Sequence, residues 1–170
     1  MKRLILTLAL VLSAAFASAQ NYAVVNSEKI FKSIDQYNQA ISQLDQMAND
    51  YQKQVDLKFD EVEKIYNAYM ARRAQLSAAS QQANEENIIK KEQEATEFQE
   101  SIFGTEGELM KKRLELIQPI QKQVFAAIEE YAKQKGYDMV IDIAQNATML
   151  YYSPKADHTE AIIALLKTKQ

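Results

Sequence analysis

From Ile30 onward, apolar residues recur at steps of four and three: Ile30, Ile34, Tyr37, Ile41, Leu44, Ala48, Tyr51, Val55, Val62, Ile65, Tyr69 and Leu76. Only Lys58 and Arg72 break the series, and no Gly or Pro falls within it. Residues three and four apart share one side of an α-helix, so the spacing predicts a long helix with one apolar stripe. A stripe kept over so many heptads is a coiled-coil pattern. Such a helix is not stable alone in water and needs a partner along its length.

The large apolar residues disappear over Leu76-Ser-Ala-Ala-Ser-Gln-Gln-Ala-Asn84. A turn near 77–84 would split the helical region into two equal pieces, Ser27 to about Ala79 and Ser80 to about Ala132. Each would reach about 80 Å at 1.5 Å per residue. One uninterrupted helix is the alternative; the equal arms favour a hairpin. The return arm carries Ile88, Lys91, Ala95, Phe98 and Ile102 in heptad step, then Met110, Leu114, Ile117, Gln121, Val124, Ile128 and Tyr131 one residue out of phase. The slip is expected in Phe103-Gly-Thr-Glu-Gly-Glu-Leu-Met110, with Gly104 and Gly107 as breakers and Thr105 with Glu108 as a capping box. This bend reads equally as a phase adjustment or as a flexible joint. Pro119 is a second candidate kink, because it removes a helical donor.

Tyr22-Ala-Val-Val-Asn26 predicts a short strand before the helix, with Ser27 or Asn26 as N-cap. Gly136 suits the position just past a helix end. Tyr137 to Ile143 alternates apolar and polar, as a strand does, and Thr148 to Tyr152 predicts a second strand in a hairpin with it. A last amphipathic helix runs from Glu160 to about Lys167, with Asp157, His158 and Thr159 at its start. The compact part is small for an independent core, so association of several chains is its natural remedy.

The first residues have a separate purpose. Lys2 and Arg3, the apolar run Leu4 to Phe16 and Ala17-Ser-Ala19 predict a secretory signal cleaved after Ala19, and so export of the chain, rather than a membrane anchor, for which the apolar run is too short. With the 20 basic and 23 acidic residues of the whole chain, removal of Lys2 and Arg3 leaves a net charge of −5. That disfavours nucleic acid as a partner. The chain has no Cys and one His. It has no Gly-rich phosphate loop, so neither ATP nor another cofactor is expected. Asp138, Asp142 and His158 are a weak metal reading, better explained as a solvated sheet face and a helix cap. No carboxylate pair has a pocket, so neither catalytic nor metal-binding residues are expected and the chain is not read as an enzyme. Aromatic and Met side chains off the main stripe, among them Phe59, Tyr66 and Met70, suggest either packing of further helices or an adaptable surface for unfolded apolar segments.

Ala23-Val-Val-Asn26, Glu28-Lys-Ile-Phe31, the charged arms, Gly136-Tyr-Asp-Met-Val-Ile-Asp142, Leu150-Tyr-Tyr152 and the short last helix, in this order, resemble the Skp/OmpH family of periplasmic chaperones for outer-membrane proteins. The segment Phe103 to Met110, with Lys112-Arg113 and Gln118-Pro-Ile120, looks like the version found in Bacteroidota. The resemblance implies an α+β fold: a small β-body bearing a long antiparallel coiled-coil hairpin, assembled as a homotrimer whose arms hang like tentacles around a cavity. Residues 20–37 and 119–170 would form the trimerisation body, with Val24, Val25, Met139, Ile141, Ile143 and Leu150 in it. Residues 38–118 would form the arm, with its tip near 77–84 and its bend near 103–108 (Gly104, Gly107, then Pro119). Unfolded outer-membrane β-barrel proteins would be held without ATP, against cavity candidates Tyr51, Phe59, Tyr66, Tyr69, Met70 and Phe98. The family's familiar enterobacterial member is strongly basic, its positive arms suited to acidic clients and to transient contact with an anionic membrane surface. Here the basic residues are confined to clusters, Arg72-Arg73, Lys90-Lys91 and Lys111-Lys112-Arg113. The rival reading from the residues alone is a structural coiled-coil or adaptor protein of the cell envelope.

Overall fold

The computed structural model describes residues 21–145 and 148–168; the predicted signal segment lies outside them. Among the described residues two strands and five α-helices follow in order: β1 (Tyr22–Val25), α1 (Ser27–Lys32), α2 (Asp35–Arg72), α3 (Ala78–Phe103), α4 (Glu108–Lys135), β2 (Met139–Asp142) and α5 (Thr159–Lys167). The described residues form two compact units, one of residues 21–35 together with those described from Gln121 on, the other Gln36–Ile120.

In the first unit β1 and β2 pair in parallel, with Tyr22 opposite Met139 and Val25 opposite Asp142. On its other side β1 meets the Asp157 segment, where the His158 amide donates to the Val24 carbonyl at 2.9 Å. Thr148 to Tyr152 is not a strand, so the predicted hairpin does not form. The Ile143 amide still donates to the Val25 carbonyl, after which the chain leaves the ladder. The Asp142 carboxylate accepts from the amide of Ala144, a local turn that takes the chain off the ladder, and also from the amide and hydroxyl of Ser27. Ser27 is thereby occupied, and Asn26 is the N-cap of α1, accepting from the Lys29 amide at 3.0 Å. α1 packs against α5. Val24, Val25, Ile30, Ile34, Val124, Ile162 and Leu166 are buried together as the core of this unit. α4 ends in a Schellman turn. The Tyr137 amide donates to the Ala132 carbonyl and that of Gly136 to Lys133, and Gly136 takes φ 71°, a left-handed conformation that a glycine adopts without steric cost.

In the second unit α2 and α3 run antiparallel, as their cross-contacts show: Lys91 pairs with Glu61 and Tyr69 with Glu85, while Lys58 lies over the Phe98 ring. The turn between them falls at Arg73–Ser77, earlier than the expected 77–84. Ser77 sets it, because its hydroxyl accepts from the Ser80 amide and caps α3, so Ala78 onward is already helical. The Gln81 amide group closes the turn from the helix side by donating to the carbonyls of Arg73 and Leu76.

α3 ends at Phe103 and α4 starts at Glu108. Thr105 and Glu108 do not form a capping box; the Gly107 carbonyl accepts the Lys111 amide and begins the helix. The expected phase slip is not at this break. Ile88, Lys91, Ala95, Phe98 and Ile102 are buried or half-buried, and Leu109, Lys112 and Leu116 continue the same heptad step. Met110 and Leu114 are exposed instead. The slip comes at Leu116–Ile117, after which Ile117, Ile120, Val124 and Ala127 carry the buried face. An inserted extra four-residue step of this kind locally unwinds a heptad stripe, so α4 absorbs it without a break. Pro119 sits inside α4 and does not end it.

Candidate functional site

The predicted arm residues divide into seam and surface. Tyr69 is buried, and its hydroxyl donates to Glu85 at 2.5 Å and accepts from Arg73 Nε at 3.0 Å. That bond to the carboxylate is the chief reason its phenol is held above the ordinary tyrosine range. Tyr51 is half-buried, and the Glu108 carboxylate beside it likewise raises its pKa. Phe59 and Phe98 are half-buried, the latter beneath Lys58 Nζ at 4.9 Å. Tyr69, Phe98 and Tyr51 thus lie against side chains of the opposing helices. Tyr66 and Met70 remain, at 47% and 45% exposure.

Tyr66 and Met70 are the outer wall of a hollow of about 360 Å³ near the turn. Its other lining is Tyr69, Ile88 and Ile89, with Arg73 and Glu85 at the rim. Ile89 is 55% exposed, an apolar residue that the heptad series did not use. The signal that would have found it was in the sequence: Ile88-Ile89 is a doublet of which one stripe can bury only one member. The rim charges neutralise one another, Arg73 to Glu85 at 3.5 Å.

The body residues also divide. Val24 and Val25 are buried within the single chain. Ile141 and Ile143 are half-buried, while Met139 and Leu150 are exposed, Leu150 at 96%. A second hollow, of about 600 Å³, opens on the face of the sheet made by Tyr22, Val24, Met139 and Ile141. Met149, Tyr151 and Tyr152 complete its wall, and Tyr151 too is largely exposed.

The polar residues once considered for a metal are engaged elsewhere. Asp138 accepts from the Asn21 amide and Asp142 from Ser27 and Ala144. His158 lies between two phenols, Nε2 at 2.7 Å from Tyr137 Oη and Nδ1 at 3.0 Å from Tyr131 Oη. This bracket ties the end of α4 and the entry to β2 to the start of α5, a role the sequence reading did not find. Asp157 accepts from the amide and hydroxyl of the buried Thr159, and the Thr159 hydroxyl in turn accepts from the Asn26 amide. Among the described residues no group of three metal-ligating side chains is brought together.

The family model described as outer membrane protein (OmpH-like) matches residues 21–166. No curated protein matches the chain. Among solved structures, an OmpH-like protein from Caulobacter crescentus CB15, assigned as an outer membrane chaperone, is similar with a TM-score of 0.65. The identity is 12%, and the match covers 90% of this chain and 87% of that one, so the likeness is one of fold.

Proposed function

The chain belongs to the OmpH-like family of outer membrane proteins, whose members are not enzymes, and on that premise we propose that it is a periplasmic holdase. It binds unfolded outer-membrane β-barrel proteins without ATP and keeps them from aggregating before insertion. The observation that carries this reading is apolar surface left open on the arm: Tyr66, Met70 and Ile89 line a hollow that the helix pair does not fill. Contact by Met and aromatic groups tolerates many shapes, as a binder of unfolded chains requires.

The holding form is a homotrimer. The open face of the sheet, with Tyr22, Met139 and Tyr151 exposed around its hollow, supports assembly through the body. Leu150 and Tyr151 are exposed far beyond what a solitary chain would place on its surface as neighbours, and a second copy would cover them. The bend at Gly104 and Gly107 lets the arms of the three copies adapt to clients of different size.

A light-scattering assay tests the function. A urea-unfolded outer-membrane barrel is diluted with and without the mature protein. Suppressed aggregation at one trimer per barrel, unchanged by ATP, is the expected result. Unchanged aggregation, with crosslinking to a single folded envelope protein, would favour the adaptor reading instead.

A further inference from the structure

The net charge of the mature chain is carried by one unit alone. Gln36–Ile120 holds 10 basic and 15 acidic residues, whereas the rest of the chain after Ala19 holds 8 of each. The distal hollow therefore lies in an acidic arm. Its own rim is neutral, since Arg73 is taken by Glu85 and Tyr69. One turn further from the tip, Glu63 stands three residues before Tyr66 and Glu92 three after Ile89, so both flank the hollow on its own side of the pair. Both carboxylates are exposed and form no ion pair. Lys90, next to Ile89, pairs with Glu94 at 3.9 Å, and Lys64 and Arg72 fall on the opposite side of α2 at 100° per residue.

We infer that the Tyr66–Met70–Ile89 hollow takes an apolar side chain from an unfolded segment that also carries Lys or Arg, with Glu63 and Glu92 meeting the cation. This arm thus selects basic and neutral client segments over acidic ones. The inference rests on the holdase reading and names its substrate class. Apolar burial supplies the contact; charge supplies the discrimination, because like charges brought together at a binding surface are penalised.

Two unstructured peptides with the same aromatic and aliphatic residues, one carrying Lys and one Glu at the same positions, would be titrated against the mature protein by fluorescence anisotropy. The Lys peptide should bind about fivefold more tightly at low salt, the scale of two exposed ion pairs, with the gap closing in high salt. The double substitution Glu63→Gln and Glu92→Gln should close the gap without weakening the Glu peptide. Met70→Ser with Ile89→Ser should weaken both; all four positions are exposed, so these variants should keep the parent's helical content. Equal binding of the two peptides, or a preference that survives in the Gln variant, would overturn the inference. If the charge preference is absent but barrel aggregation is still suppressed, only this inference fails. Loss of the suppression itself would sink the holdase reading as well.

Discussion

The Tyr69 hydroxyl ties α2, α3 and the turn together, donating to Glu85 across the pair while accepting from Arg73 beyond the helix end. Its ring is buried in the seam, whereas that of Tyr66, one turn away, is half in water. Tyr69→Phe should keep the packing, remove both bonds and lower the thermal midpoint; Tyr66→Phe should leave it unchanged. In ultraviolet titration the Tyr69 phenol should ionise later than an ordinary tyrosine, and Glu85→Gln should bring it back towards the normal range.

The bend makes a steric demand. A Cβ on Gly104 would stand 2.4 Å from the Glu100 carbonyl oxygen, and one on Gly107 the same distance from that of Ile102. Both neighbours are backbone, which cannot swing aside. Gly104→Ala and Gly107→Ala should each cost on the order of 1–3 kcal/mol in urea unfolding, as overpacking does. Thr105→Ala, on an exposed residue between them, should cost much less.

Acid should loosen the body through two carboxylates. Partial burial pushes Asp142 up, but the Ser27 hydroxyl and the amides of Ala144 and Ser27 outweigh it and hold the group below its ordinary value. Asp157 is likewise pushed up by burial and held down overall, chiefly by the Thr159 hydroxyl and amide. Depressed folded pKa values mean that the unfolded chain binds more protons. Their stabilisation is therefore present above the ordinary carboxylate pKa of about 4 and is lost as the pH falls through the folded values. Urea midpoints measured from pH 7 down to pH 3 should decline below about pH 4. Asp142→Asn should lower the neutral-pH midpoint and flatten that decline.

Much of this architecture was legible because helical stripes are long and redundant. Twelve apolar positions from Ile30 to Leu76 fix a helical periodicity, yet the single helix expected from Ser27 to about Ala79 is broken at Ser33–Ile34, where the Ser33 hydroxyl turns back to the Ile30 carbonyl, and ends at Arg72. Ends depend on one side chain each, and there the sequence is a weaker guide: Asn26, the rival to Ser27, is the cap, and Ser77 places the turn at the start of the apolar-poor stretch rather than inside it. The phase slip was read from the glycines, where a break is expected, but helix α4 accommodates it at Leu116–Ile117. Thr148 to Tyr152 has strand composition but pairs with no strand among the described residues, and composition alone cannot report what would pair with it. For the candidate site, heptad position separates seam from surface only when both helices are known. Tyr69 and Tyr66 look alike in the sequence, and it is Glu85 on the opposing helix that tells them apart.

That missing partner makes the assembly testable at one side chain. Met139 and Tyr22 stand opposite each other in the register, on the face of the sheet that bears the hollow. Met139 is 57% exposed, and the buried core of the chain lies elsewhere, at Ile30, Val124 and Ile162. Met139→Glu should therefore be tolerated by the single chain but not by a dry contact between copies, where an unpaired carboxylate would lose its water. Light scattering coupled to size exclusion should give three times the chain mass for the parent and one chain mass for the variant. The parent's thermal midpoint should rise with protein concentration and the variant's should not, because association with other folded copies stabilises only the native state. A parent that runs as one chain at every concentration would remove the trimer. A trimer that survives Met139→Glu would move its contact to another surface.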